Sequence, residues 1–193
     1  MKTHVKRPLL IIVFTVFFLL FLFVLFYFIQ SINKKSVSQN QIVSKISLGS
    51  PVRLIIPTIN VNAKIQYVGV TSKGAMEVPS NIVDVGWFKL GPRPGETGNA
   101  VIAGHFDGEN GEAGVFFNLY KLKKGDKLYI ENDKGKAIPF VVRESRLYDP
   151  GYANDVFSAS NSAHLNLITC DGVWDGAKKS YSKRLVVFAD IVH

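Results

Sequence analysis

The sequence predicts an all-β domain, a barrel or a sandwich, preceded by one N-terminal helix that spans a membrane. Three observations carry this reading: eight short runs rich in β-branched and aromatic residues, clusters of turn residues between them, and an uncharged apolar stretch near the N-terminus. Strands alternating with long helical patterns, the mark of a parallel α/β sheet, are missing from the sequence.

The apolar stretch, "LLIIVFTVFFLLFLFVLFYFI", runs from Leu9 to Ile29. It is long enough to cross a hydrocarbon core of roughly 30 Å as a helix. A cleaved signal peptide would have a shorter apolar run, about 7–15 residues, and a small-residue cleavage site, which "QSINKKSVSQ" does not offer. Lys2, Lys6 and Arg7 precede the helix and Lys34 and Lys35 follow it, which favours a cytoplasmic N-terminus (1–8) and an extracytoplasmic remainder. Residues 30–50, polar and Ser-rich in "KKSVSQNQIVSKISLGS", read as a linker to one domain over 51–193.

The net charge of +8 divides unevenly. Residues 1–50 hold six Lys or Arg and no acid, whereas 51–193 hold seventeen Lys or Arg against fifteen acids. The excess sits at the membrane flanks, where basic residues orient a helix and meet anionic lipid. The domain has no basic stripe, so nucleic acid is excluded as a partner.

The expected strands follow in order: "VRLIIP" (52–57), "AKIQYVGV" (63–70), "VGWF" (85–88), "NAVIAGH" (99–105), "KLYIEN" (127–132), "AIPFVVRESRLY" (137–148), "AHLNLIT" (163–169) and "RLVVFADIV" (184–192). A short helix is expected in 114–122, where Val115, Phe116, Leu119 and Leu122 have helical spacing, and another turn of helix in 154–160. No internal repeat is present.

One cysteine, Cys170, stands between the run "AHLNLIT" and the turn-rich "DGVWDG". A lone thiol cannot form an internal disulfide, so it is a small buried hydrophobe or a reactive group. A reactive thiol needs a base or a cation nearby. His4 lies across the membrane. His164 is six residues back on the same strand, about 20 Å away at roughly 3.3 Å per residue. His193 ends the chain, a poor place for a positioned base. That leaves His105, at a strand end opening into "FDGENGEAG". Arg184 would return beside the cysteine if 184–192 pairs with 163–169. The residues alone leave His105 between a base and a satisfied strand-end histidine, and Arg184 between an oxyanion donor and a surface cation.

At these residues the sequence resembles the sortases, membrane-anchored cysteine transpeptidases of Gram-positive bacteria. The family's Thr-Leu-x-Thr-Cys signature is matched by Asn166-Leu167-Ile168-Thr169-Cys170, its Gly-His pair by Gly104-His105, and its last-strand arginine by Arg184. The resemblance covers about Val52 to Val192, and "VGWF", "PGETGNAVIAGHFD" and "TCDGVWD" resemble class F most. It implies an eight-stranded β-barrel. It implies attack by Cys170 on a sorting signal similar to Leu-Pro-x-Thr-Gly, between Thr and Gly. His105 would exchange protons with the leaving and incoming amines, Arg184 would stabilise the oxyanion, and Thr169 would line the substrate pocket. The thioester would pass to an amine of a cell-wall precursor such as lipid II, at the membrane where the anchor holds the enzyme.

Asn166 departs from the signature's first threonine, and an effect on strand packing is expected. Glu109, Glu112, Asp149 and Asp155 are read as solvated loop acids, so no metal and no cofactor is expected. The Ser-His-Gly-Cys pattern of L,D-transpeptidases is absent, and papain-like peptidases place cysteine before histidine. A non-enzymatic anchored β-module with an inert thiol is the rival of a different class.

Overall fold

The computed structural model describes residues 18–31, 48–151 and 154–192. Internal contacts divide the chain into two units, Met1–Ser47 and Leu48–His193. In the first, residues 18–31 are helical with every side chain exposed. Residues 18–29 are the part of the expected span that is described; 9–17, like segment 1–8, expected to be cytoplasmic, and most of the linker, lies outside the described residues. Among the described residues no helix is long and apolar enough to cross a membrane.

The second unit has eight strands: β1 (Pro51–Ile56), β2 (Val61–Val68), β3 (Val85–Phe88), β4 (Gly98–Gly104), β5 (Lys127–Asn132), β6 (Ala137–Tyr148), β7 (Ala163–Asp175) and β8 (Ser180–Ile191). They close into a barrel in the order β1-β2-β3-β4-β7-β8-β6-β5. Closure leaves no long unpaired edge. The β2–β3 and β4–β7 pairs are parallel and the others antiparallel.

Side chains alternate between faces along each strand. From β4, β7 and β8, one set comprising Ala100, Ile102, Leu165, Leu167, Leu185, Val187 and Ala189 fills the main core. The alternate set, with Val101, Val186 and Phe188, forms a second cluster. Val156, from the β6–β7 connection, caps that second cluster and is fully buried.

Both expected helical segments are present, in the shortest form. Segments 114–122 and 154–160 contain only single 3₁₀ turns, Leu119–Lys121 and Asn154–Val156. Phe116, Leu119 and Leu122 recur every three residues and are buried, a period that 3₁₀ geometry satisfies. A third turn, Pro57–Ile59, joins β1 to β2 and ends on Asn60 at φ 55°, a left-handed conformation asparagine tolerates.

The last hairpin also differs from expectation. β7 runs on to Asp175 and β8 starts at Ser180, so Cys170 lies inside a strand and Arg184 lies four residues into β8. The turn residues Asp171 and Gly172 make a bulge, a register shift between Asp171 and Trp174, with Gly172 at φ +84°. That left-handed φ is why glycine stands there, and a Cβ would also press on the Ser182 hydroxyl.

Candidate active site

The ladder of β7 with its two neighbours places the candidate residues. Asn166 pairs with Val101 on β4 and Phe188 on β8; Ile168 pairs with Ala103 and Val186. The β4 pairing ends at Ala103, but two residues further along both parallel strands stand His105 and Cys170. On the other side Cys170 pairs directly with Arg184. Residues 166, 168 and 170 share one face of β7 by the strand period. Cys170 is therefore where β7 outruns β4, which gives a thiol inside a strand the access that a strand end would have supplied.

Two contacts set the end of β4. A Cβ on Gly104 would come within 2.5 Å of the Phe116 ring, so only glycine lets the chain pass here and turn into the loop. The Thr169 hydroxyl donates to Gly104 O at 2.8 Å, tying β4 to β7 past their last ladder pair. The main chain beyond is held by Phe116 N–H donating to His105 O (2.9 Å) and Gly114 N–H donating to Phe106 O (2.8 Å). His105 Nε2 lies 2.9 Å from Pro79 O. A carbonyl only accepts, so Nε2 carries a proton and Nδ1 is the nitrogen left to exchange one.

Cys170, His105, Arg184 and Thr169 open onto one groove of about 700 Å³. Its walls are mainly apolar, with Val70 and Met76 from the β2–β3 connection and Phe157 from the β6–β7 connection. Burial pushes the Cys170 thiol above its ordinary range; Arg184 pulls against this and Asp107 adds to it. The net effect favours the neutral thiol. The Arg184 guanidinium is fixed against its own hairpin, Nη1 donating to Tyr181 O (3.0 Å) and Lys183 O (2.8 Å) and Nη2 to Ser180 Oγ (3.1 Å).

Three groups around this site were missed from the sequence: Asp107, Tyr181 and Pro79 O. The Tyr181 hydroxyl donates to the Asp107 carboxylate, linking the loop after His105 to the hairpin before Arg184. That bond, with burial and the carboxylate's charge, pushes the Tyr181 hydroxyl up to about 12. Only the spacing of Asp107 two residues after His105 could have suggested it.

The other histidines fall elsewhere. His164 pairs across the ladder with Asp190, its Nδ1 2.7 Å from Asp190 Oδ1, six residues from Cys170 along β7. His4 and His193 lie outside the described residues. The loop acids Glu109, Glu112, Asp149 and Asp155 are exposed, as expected, and three of them make surface contacts. Asp149 meets Lys183 at 2.6 Å, Asp155 accepts from Tyr148 Oη (2.6 Å) and Arg146 (3.2 Å), and Glu112 accepts from Asn110. Among the described residues no three such groups could hold a metal ion.

Comparison with known proteins matches this geometry to one family. Residues 54–192 match the Sortase domain. Among solved structures, sortase C-1 from Actinomyces oris is 25% identical, with a TM-score of 0.60 over 75% of this chain and 76% of that one. A lid mutant of sortase A from Corynebacterium diphtheriae is 26% identical, with a TM-score of 0.58 over 74% and 70%. The pilus-related sortase C of Group B Streptococcus is 23% identical, and its TM-score of 0.58 over 76% and 69% speaks for the fold. No curated protein matches the chain. The barrel order, the match across nearly all of the second unit and the likeness to sortases A and C place this chain in the sortase family, the cysteine transpeptidases.

Proposed function

We propose that this sortase cleaves a Leu-Pro-x-Thr-Gly-like signal between Thr and Gly and transfers the acyl part to an amine of a cell-wall precursor such as lipid II. The observation that carries it is that Cys170, its rung partner Arg184 and His105, just past the last β4–β7 pair, line one mainly apolar groove. The apolar walls suit the Leu-Pro end of such a signal, leaving its Thr–Gly bond at the thiol.

Because burial favours the neutral thiol, His105 takes the Cys170 proton through Nδ1 as Sγ bonds to the threonine carbonyl carbon. The C–N bond breaks, the glycine amine leaves with that proton, and a thioester stays on Cys170. The incoming amine gives its proton to His105 and displaces the thiolate. Arg184 lies across the rung from Cys170, where a guanidinium stabilises the developing oxyanion. The Thr169 hydroxyl is engaged by Gly104 O and its side chain is buried, so what Thr169 offers the substrate is its backbone.

The Leu9–Ile29 segment would anchor the enzyme in the cell membrane with its N-terminus inside, keeping the catalytic domain beside a membrane-bound precursor. The motif resemblance favours class F. The test is mass spectrometry of full-length protein incubated with a sorting-signal peptide and an amine. A covalent adduct on Cys170, discharged by the amine to a ligated product, is expected. Peptide turnover undiminished in Cys170→Ala would overturn the proposal.

A further inference from the structure

Asn166 stands where the resembled signature has threonine, and it is only 1% exposed in the middle of β7. Its neighbours on the same face, Val101, Val186 and Phe188, are all apolar. Its Oδ1 is buried with no hydrogen-bond partner among the described residues. A buried amide with an unsatisfied oxygen is costly, and an apolar residue would carry no such cost. The other half of the amide shows what the asparagine does there. Nδ2 donates to Val156 O at 2.8 Å, a bond that spans from the barrel wall to the β6–β7 connection.

Val156 closes the 3₁₀ turn Asn154–Val156. Asn154, which opens that turn, and Phe157, which follows Val156, line the groove that holds Cys170. Phe157 also meets Phe88 edge-on at 5.6 Å. The other side-chain ties from the barrel to residues 154–158 are exposed: Arg146 and Tyr148 to Asp155, and Asn99 Nδ2 to Ser158 O at 2.7 Å. Exposed ties hold little. The Asn166–Val156 bond is the buried one, and it is one residue away from the groove wall.

We propose that Asn166 is a positioning residue for substrate acceptance: it locks the 154–158 segment so that Phe157 and Asn154 form the wall against which the sorting signal docks. The idea rests on the groove being the signal's site, as proposed above. When the segment is released, the competent wall is populated only part of the time, and apparent affinity falls by that fraction. The chemistry at Cys170, four residues further along β7, is untouched. Threonine would not substitute, because its hydroxyl ends one bond nearer the backbone than the asparagine nitrogen.

The test compares full-length wild type with Asn166→Thr and Asn166→Leu on a fluorogenic Leu-Pro-x-Thr-Gly peptide. Amide hydrogen exchange over 154–158 and alkylation of Cys170 are followed in parallel. Both variants should raise KM about 3- to 10-fold, the change in wall population that one neutral hydrogen bond sustains. They should leave kcat within about twofold, speed exchange at 154–158 and leave alkylation unchanged. Asn166→Leu fills the site with an apolar side chain, so it separates the lost bond from lost packing. Unchanged exchange and KM in folded Asn166→Leu would overturn the proposal, as would a fall in kcat at constant KM. If wild type itself does not turn the peptide over, the signal reading fails. The exchange comparison still decides whether Asn166 holds the segment.

Discussion

The two faces of β4, β7 and β8 are made by alternate residues of the same strands, yet they solve different problems. On the inner face Ala100, Ile102, Leu165, Leu167, Leu185 and Val187 all join one closed core. On the outer face the rows change character along the strands: Val101, Asn166 and Phe188, then Ala103, Ile168 and Val186, then Cys170 and Arg184, with His105 just past the end of β4. The inner face has a closed volume to fill, and only apolar side chains do that without polar cost. The outer face is covered at one end by Val156 and open at the other. Cys170, Arg184 and His105 sit where the cover stops, and all three line the groove. Substitutions on the inner face should therefore register as stability, and those on the outer face as activity.

The sharpest break of that comparison is at the last outer row. Cys170→Ala should abolish cleavage and transfer while the thermal midpoint hardly moves, and His105→Ala should be comparably severe. Leu167→Ala, one inner position in the same strand, should cost about 2–5 kcal/mol in chemical denaturation, with the folded fraction keeping its turnover per molecule. A Cys170→Ala protein that unfolds, or a Leu167→Ala protein that is stable and inactive, would erase the distinction.

Next in size is Arg184→Lys. Lysine keeps the charge but loses the planar fork. Turnover should fall at least about 10²-fold, the cost of one positioned oxyanion donor. Near-normal rates would reduce Arg184 to its charge, which opposes the rise in the thiol.

A smaller effect is expected at Asp107. Its negative charge disfavours the Cys170 thiolate, so Asp107→Asn should lower the thiol's pKa. Alkylation measured below that pKa should then speed up by a few-fold, and the rising limb of the pH profile should move to lower pH. The Tyr181 hydroxyl should come down from about 12 in a spectrophotometric titration, since Asp107 is the chief cause of its rise. A limb displaced to higher pH would contradict the sign. The smallest change belongs to Lys183→Ala. Its pair with Asp149 is solvent-exposed, with side chains 45% and 63% accessible, and activity should stay within a few-fold of wild type.

Much of this was written locally. All eight strands lie where β-branched and aromatic runs predict them, and the choice of His105 over His164 follows from strand rise alone. The cysteine signature, the Gly-His pair and the last-strand arginine are contiguous or ordered in the chain, so a linear reading finds them. The errors share one cause. Asp171, Gly172, Asp175 and Gly176 have turn chemistry, but at Gly172 the positive φ is spent on a bulge inside a hairpin that pairing with β8 keeps extended. The helical spacing of Phe116, Leu119 and Leu122 is a burial pattern, and the barrel satisfies it with one 3₁₀ turn.

By itself, then, the sequence determined the strand content, the unequal charge of its two parts, and the residues whose chemistry suits acyl transfer. The tertiary structure alone decided which of them meet. Parallel pairing of β4 with β7, strands separated by β5 and β6, brings His105 level with Cys170, and antiparallel pairing with β8 brings Arg184 to the other side. The Pro79 carbonyl at His105, the Asp107–Tyr181 bond and the Asn166–Val156 bond span 26, 74 and 10 residues. The physical reason is that propensity and side-chain period act over a few residues, whereas a site assembled from distant segments exists only once the barrel has closed around its core.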